Sequence, residues 1–325
     1  MSVKVAIAGF GKLGRGVLDA VRASEDLKPS YIITRRDPAS INAPDGIPVI
    51  SFNDIAALKG RIDVMVLCFG SQRDLPFLSP MLARNFNIVD SFDDHGRIPE
   101  HFDRVNEAAL ASNRTAIVSA GWDPGIFSLM RAGFCAFVPD GESLTLWGPG
   151  VSQGHSNAIR GIPGVIDAKQ YTVPVPSAGR DFITGTHFCD PAHKCHRRKC
   201  FVVTEDTADR ARIEKQIKEM PGYFAGYDTS VTFVSEKELT ERHGGFPHGG
   251  KVIRRCRTSD GSLHTATLEL NLESNPAFTG SVLAAYARAV ARYNNEGRTG
   301  CFTPLDIPVS YLSEMSAEDL RKKML

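Results

Sequence analysis

The sequence predicts an α/β fold: a doubly wound parallel sheet first, then an α+β domain on a mostly antiparallel sheet. Three observations predict it. Over residues 1–120, short apolar runs rich in β-branched residues alternate with helix-like segments. Glycines stand at 9, 11 and 14, between the first such run and the first helix-like segment. After "SAGWDPGIF" the texture changes to longer runs that alternate apolar and polar residues, with few helical crossovers.

In order, the strands of the first domain are Val3–Ala8, Tyr31–Thr34, Val64–Phe69, Asn87–Asp90 and Thr115–Ala120. Their apolar runs are nearly continuous, as strands of a parallel sheet covered on both faces must be. Leu13, Val17 and Val21 recur every four residues and mark the apolar stripe of the first helix. Beyond Asp123, a helix is predicted from Phe127 to Val138. The stretches "SLTLWGPG", "AKQYTVPV", "CFVVT", "DTSVTFV", "KVIRRC" and "HTATLELNL" then read as strands, with one helix over Thr207–Met220. The expected division is residues 1–121, a Rossmann-type nucleotide-binding domain, and 122–275, a domain for substrate binding and dimerisation. The segment from about 276 to 325, with a helix over Ser281–Asn295, is read as returning to the first domain.

Composition excludes several classes. Of 325 residues, 42% are hydrophobic and 23% charged, with a net charge of +1, so no global field calls for nucleic acid or a membrane surface. Seven cysteines, an odd number scattered through apolar runs, fit a reducing cytoplasm better than a disulfide framework. No apolar run reaches the roughly 18 residues of a membrane span. Cys189, His193, Cys195, His196 and Cys200 crowd into 12 positions, but their spacings lack the paired C-x2-C pattern of structural zinc. The stretch Pro176–Lys199 is therefore read as a basic surface loop, and no metal is expected.

The glycines place a dinucleotide. In "GFGKLG", Gly9 permits the tight turn, Gly11 lets a pyrophosphate approach the backbone, and Gly14 lets helix and strand pack closely. The helix N-terminus adds N–H groups and partial positive charge. About 20 residues further on, an acid normally holds the ribose 2′-hydroxyl. Thr34, Arg35 and Arg36 stand there instead. A hydroxyl and two permanently charged, planar donors suit a 2′-phosphate, so the cofactor is read as NADP(H) rather than NAD(H).

Ligands of open α/β sheets bind beyond the carboxyl ends of the strands. "IVDSFDDHG" sets Asp90, Asp93 and Asp94 past one strand and "IVSAGWDPG" sets Asp123 past another, which suggests a substrate bearing an ammonium group. The second domain offers the opposite sign. Thr172, Arg198 and His248 suit a carboxylate, and Trp147 lies near Gln153, His155 and Ser156 in "WGPGVSQGHSNA".

Taken jointly, "GWDPG", "WGPGVSQGHS", "KCFVV" and "PHGG" make the chain resemble the meso-diaminopimelate D-dehydrogenase family, over nearly its full length. The resemblance implies an NADP-dependent homodimer that reversibly deaminates the D-centre of meso-2,6-diaminopimelate to L-2-amino-6-oxopimelate and ammonia, in lysine and cell-wall precursor synthesis. It implies cofactor contacts from Phe10, Lys12 and Leu13 beside the glycines, from Thr34–Arg36, and from Cys68, Phe69, Gly70 and Ser71. Ser91, Phe92 and Asp93, with Ala120, Gly121, Trp122, Asp123 and Pro124, complete that set. Asp93, Asp123, Trp147 and Gln153, with Trp122 and Gly154, match the pocket around the reacting centre. Thr172, Arg198, His248 and Asn275 match the groups that hold the distal L-centre. Asp93 and Asp123 are the groups expected to bind the ammonium and stabilise the iminium. Asn157 departs from the family pattern, which leads one to expect Asp after "GHS". Two other readings are a dihydrodipicolinate reductase-like enzyme, which leaves the paired acid loops without a reason, and a non-catalytic NADPH-binding sensor, which does not need both "GWDPG" and "WGPGVSQGHS".

Overall fold

The computed structural model describes residues 2–186 and 194–325. The chain divides into two compact units, Met1–Leu129 with Pro276–Leu325, and Met130–Asn275. The elements of the first unit begin with β1 (Val3–Ala8), α1 (Lys12–Ala23), β2 (Leu27–Thr34), β3 (Val49–Ser51), β4 (Val64–Leu67), α2 (Leu75–Ala83), β5 (Ile88–Asp90), α3 (Ile98–Leu110) and β6 (Thr115–Ile117). The helix α4 (Ile126–Phe137) spans the division. The second unit holds β7 (Gly141–Trp147), β8 (Gly150–Val151), α5 (Gln153–Arg160), β9 (Val165–Pro174), α6 (Ala178–Thr184), β10 (His196–Thr204) and α7 (Arg210–Lys218). It continues with β11 (Asp228–Phe233), α8 (Glu236–His243), β12 (His248–Arg257) and β13 (Leu263–Leu272). Then α9 (Asn275–Asn295) and β14 (Gly300–Phe302) rejoin the first unit.

Among the described residues the first unit forms a seven-stranded sheet in the order β14-β6-β5-β4-β1-β2-β3, with every pairing parallel. The 3-2-1-4-5-6 order within it is that of a dinucleotide-binding sheet. Period-2 alternation assigns each strand's residues to two cores. Val5, Ile7, Val64, Val66 and Ile117 face one cluster with Val17, Val21, Leu283, Tyr286 and Val290 of α1 and α9. Ala6, Ala8, Met65, Leu67 and Ala116 face the other, with Leu75, Leu82, Val105 and Ala109 of α2 and α3. Where α1 and α9 cross, a Cβ on Gly16 would lie 2.5 Å from the Pro276 carbonyl oxygen, so the helices meet backbone to backbone. β2 starts four residues before the expected Tyr31: Pro29 sits opposite Val5, and a register shift between Val5 and Ala6 leaves Ser30 as a bulge.

In the second unit β11-β10-β9-β8 form one sheet and β13-β12-β7 another. All pairings are antiparallel except β10 with β11, whose parallel crossover is α7. α5 stands where "WGPGVSQGHSNA" leads one to expect a glycine-flexible loop, and α6 and the first four residues of β10 replace part of the surface loop expected over Pro176–Lys199.

Candidate active site

The turn between β1 and α1 is built by glycines that do different jobs. Gly9 has φ +96°, and a Cβ there would lie 2.7 Å from the Cys68 carbonyl oxygen, so no other residue fits. A Cβ on Gly14 would collide with the Gly9 carbonyl, which ties α1 to the turn. At Gly11 a Cβ would meet nothing within 4 Å. That space lies at the N-terminus of α1, where Gly11 supplies no side-chain cap and the first turn carries no acid. A helix N-terminus beside open space is what an anionic pyrophosphate requires.

A cavity of about 480 Å³ opens there, lined by Gly9–Lys12, Arg15, Thr34–Arg36 and Cys68–Gly70. Thr34 is buried at the end of β2, and its Oγ1 accepts the Arg36 backbone N–H at 3.0 Å, leaving its own O–H to donate. Arg36 Nη2 donates to the Phe10 carbonyl at 3.0 Å. Arg35 pairs with Asp74, Nη1 to Oδ1 at 2.7 Å, and its guanidinium lies 5.0 Å from the Phe69 ring centre. The hydrogen bond from Arg35 holds the Asp74 carboxyl below the usual carboxylate range. Leu13, in the first turn of α1, packs against the core.

The acid loops hang from one buried group. The Asp90 carboxylate, 0% exposed at the end of β5, accepts from Ser79 Oγ at 2.6 Å and is 2.7 Å from His101 Nε2. It also accepts the backbone N–H of Phe92 at 3.1 Å and of Ser119 at 3.0 Å, so one side chain fixes both loops. Phe92 turns into the core and stacks on His101, with centroids 4.2 Å apart, so its contact with a ligand is left to its backbone. Next to the half-buried Ser91, Asp93 donates its backbone N–H to Ser71 Oγ at 2.9 Å, joining this loop to the one after β4. The Asp93 residue is open to solvent, yet protein crowds its carboxyl and this burial pushes its pKa up, against a lowering hydrogen bond with Ser71.

On the other loop, Ala120 and Gly121 are buried, and Ala120 N–H donates to the Asp90 carbonyl at 2.9 Å. Gly125 has φ +127° and its missing Cβ makes room for the Gly121 carbonyl. The turn from Trp122 through Asp123 and Pro124 then leads into α4, with Phe127 N–H bonded to the Trp122 carbonyl at 2.8 Å. Trp122 packs edge-on to Phe127, and Asp123 is half-buried.

In the second unit, β10 alternates over His196–Cys200. Arg197 and Lys199 are exposed, while His196, Arg198, Cys200 and Val202 turn inward. They stand opposite Pro174, Thr172, Gln170 and Ala168 of β9. The far half of this face is apolar, with Ala168, Cys200 and Val202 packed on Ile159 of α5. The near half is polar. Arg198 Nη1 donates to Thr172 Oγ1, and its guanidinium lies 4.1 Å from the Tyr227 ring centre. Arg198 is buried and pairs with no carboxylate among the described residues. Burial pulls its pKa below the ordinary guanidinium value.

Gly150 stands opposite Thr172, and a Cβ on it would lie 2.5 Å from the His248 ring, so the glycine lets that ring approach. Burial lowers the His248 pKa, and its Nδ1 accepts the Gly249 N–H at 2.8 Å. Trp147, at the end of β7, donates its backbone N–H to His196 Nε2 at 2.9 Å. Gln153 and Gly154 are exposed in the first turn of α5, capped by Ser152, and a Cβ on Gly154 would meet nothing within 4 Å. Asn275 opens α9, its N–H on the Phe246 carbonyl at 2.9 Å. Asn157 accepts from Arg160 Nη1 and is thereby engaged within its own helix.

The sequence reading missed Arg15, Asp74, Asp90's two-loop role, His101, His196 and Gln170. Arg15 alone had a local signal, since it follows Lys12 by three positions on the helix that opens the cavity. Of the Cys/His-rich stretch, Cys189 and His193 lie outside the described residues. Cys195 and Cys200 are buried.

Residues 121–274 match the family model of the diaminopimelic acid dehydrogenase C-terminal domain. The chain is 47% identical over 323 residues to the meso-diaminopimelate D-dehydrogenase of Ureibacillus thermosphaericus, covering 99% of each chain. Among solved structures it is similar to a mutant meso-dapdh with DAP from Clostridium tetani E88, with a TM-score of 0.94 and 42% identity over 100% of both chains. It is also similar to an engineered D-amino acid dehydrogenase bound to NADP+, with a TM-score of 0.90 and 38% identity over 100% of both chains.

Proposed function

The chain belongs to the meso-diaminopimelate D-dehydrogenase family, and from that we infer that it catalyses the NADP(H)-dependent, reversible oxidative deamination of the D-centre of meso-2,6-diaminopimelate. Water is consumed at the imine carbon, the products are L-2-amino-6-oxopimelate, ammonia, NADPH and a proton, and the reaction belongs to diaminopimelate and lysine biosynthesis. At this identity a dihydrodipicolinate reductase-like reaction or a mere sensor has nothing to recommend it.

The first unit holds NADP(H). Gly9–Gly14 take the pyrophosphate at the start of α1, and Thr34, Arg35 and Arg36 take the 2′-phosphate. Bound NADP+ supplies the hydride acceptor. The remaining work falls to side chains. Asp93 and Asp123 bind the D-centre ammonium and stabilise the iminium charge, and burial raises the Asp93 carboxyl. By the family resemblance we assign Trp122, Trp147, Gln153 and Gly154 to recognition of the reacting centre, and Thr172, Arg198, His248 and Asn275 to recognition of the distal one. Gripping the distal end makes only one of two similar centres reactive, because orientation decides which Cα–H can be transferred.

The observation that carries this reading is the buried Arg198 guanidinium, bonded to a hydroxyl and without an acid among the described residues. A buried charge of that kind calls for an anionic partner, and a substrate carboxylate supplies one. The test mixes purified protein with NADP+ and meso-diaminopimelate and follows NADPH absorbance and ammonia. One NADPH per ammonia with the meso isomer and none with the LL isomer is expected; no signal, or equal rates with both, overturns the assignment.

A homodimer is part of the proposal. Its support is the family resemblance. Sedimentation should read twice the 35.4 kDa chain. Among the described residues no helix is long and apolar enough to cross a membrane, and a cytoplasmic location is proposed.

A further inference from the structure

At the polar end of the β9–β10 face, three buried atoms have no hydrogen-bond partner among the described residues: Gln170 Oε1, Gln170 Nε2 and Arg198 Nε. Gln170 is 0% exposed. Native folds seldom leave both ends of a buried amide unpaired, and each such atom carries a desolvation penalty. A site meant only for packing would take the apolar residues found one step along the same face, at Ala168 and Val202.

The two residues are diagonal neighbours. Gln170 stands opposite Cys200, and the next inward residue of β9, Thr172, stands opposite Arg198. Side chains in that relation are within reach of each other when both are long. Their unpaired atoms are also complementary, since Arg198 Nε is a donor and Gln170 Oε1 an acceptor. Arg198 directs Nη1 at the Thr172 hydroxyl. A guanidinium that takes a carboxylate with its two Nη groups leaves Nε–H to be satisfied by the protein, and in this buried place it needs an acceptor.

We propose that Gln170 is a positioning residue for Arg198: its Oε1 accepts the Arg198 Nε–H when the guanidinium presents both Nη groups to the distal carboxylate of the substrate. Its Nε2 then donates to Thr172 Oγ1, which Arg198 has left. The proposal rests on the reading of Arg198 as the distal carboxylate clamp, and it adds a residue that never touches substrate.

A double-mutant cycle between positions 170 and 198 tests it. Q170M should raise the KM for meso-diaminopimelate about ten-fold with kcat changed by less than about two-fold, the loss expected for one charged hydrogen bond that serves binding. Q170L, which packs differently, should give the same rise, and both should keep wild-type NADP+ affinity, which reports on the fold. R198M should raise KM further, and Q170M should add nothing in the R198M background. Full additivity, unequal effects of Met and Leu, or a fall in kcat with KM unchanged would show that Gln170 acts by packing, and the proposal would fail while the clamp stood. An unchanged KM in R198M alone would remove the clamp itself, and this proposal with it.

Discussion

Arg35 grips Asp74 with both terminal nitrogens, Nη1 to Oδ1 at 2.7 Å and Nη2 to Oδ2 at 2.9 Å. The pair fixes the half-exposed guanidinium at the cavity mouth, 5.0 Å from the Phe69 ring centre. Preorganisation of this kind cuts the entropy lost when a phosphate is bound. Because each charged hydrogen bond to a phosphate is worth about 1.5–3 kcal/mol, R35A with R36A should weaken NADP+ binding by at least about 100-fold. NAD+, which lacks the phosphate, should lose less than about ten-fold. Fluorescence titration of both nucleotides reads the difference, and equal losses would mean that the two arginines do not contact the 2′-phosphate.

The Asp90 carboxylate is the acceptor for Ser79, His101 and two backbone N–H groups, in a place that water does not reach. Asp90→Ala leaves all four without an acceptor and should cost on the order of 4 kcal/mol in urea unfolding. Asp90→Asn keeps one oxygen for the N–H groups of Phe92 and Ser119 and should cost roughly half as much. Since those N–H groups set the loops that carry Asp93 and Asp123, kcat/KM should fall in both variants in the same order. A loss under about 1 kcal/mol in the alanine variant would show that the loops hold their shape without the carboxylate.

The contrast between these two sites shows what a sequence displays. The strands β1, β4, β5 and β6 are apolar runs whose neighbours are glycines and acids, so their signal is local. β3 and β14, three residues each like β5 and β6, stand at the two edges of the sheet; β3 is only half-buried, and both exist because they add to strands already formed. The start of β2 is masked by Pro29, and α5 by Gly154 and its polar neighbours, although Ser152 was available as a capping signal. The glycine turn and Thr34–Arg36 were legible because contiguous residues form them. Asp74 was not, since it meets Arg35 across 39 positions, and neither was Gln170, whose significance lies in the strand placed beside it.

Asp93 gives the reaction an acid limb of predictable sign. Burial raises its carboxyl above the ordinary value of 3.8, and only the ionised form attracts a substrate ammonium. Therefore kcat/KM should rise with pH through a pKa above 3.8, and D93N should lose that limb together with about 100-fold or more of the rate. Stability runs the other way. The folded state holds this proton more tightly than the unfolded chain, so the contribution of Asp93 is fully present below its unfolded pKa and is lost as pH rises through the folded one. D93N should consequently be more stable than the parent at pH 7, measured by urea midpoint, while being nearly inactive. A less stable D93N would place its carboxylate in a favourable site rather than a crowded one.

His155 shifts in the opposite direction, from 6.5 down to about 4, first because it is buried and second because the Arg198 charge opposes a proton on it. Its ring sits edge-on to Tyr223 and Phe224, at 5.3 and 5.5 Å, with Nδ1 2.7 Å from Ser152 Oγ. In the unfolded chain the imidazole takes a proton near 6.5, whereas the folded protein refuses it until about 4. Stability from this group is thus complete above 6.5 and is lost as pH falls through the window to about 4, by at most on the order of 3 kcal/mol. His155→Phe keeps the aromatic contacts and cannot titrate, so its unfolding free energy should fall less than that of the parent between pH 7 and pH 4.5. Urea curves at the two pH values measure this, and parallel losses in both proteins would assign the acid sensitivity to other groups. A shallower slope that returns when R198M is combined with the native histidine would identify the arginine charge as the part of the shift that burial does not supply.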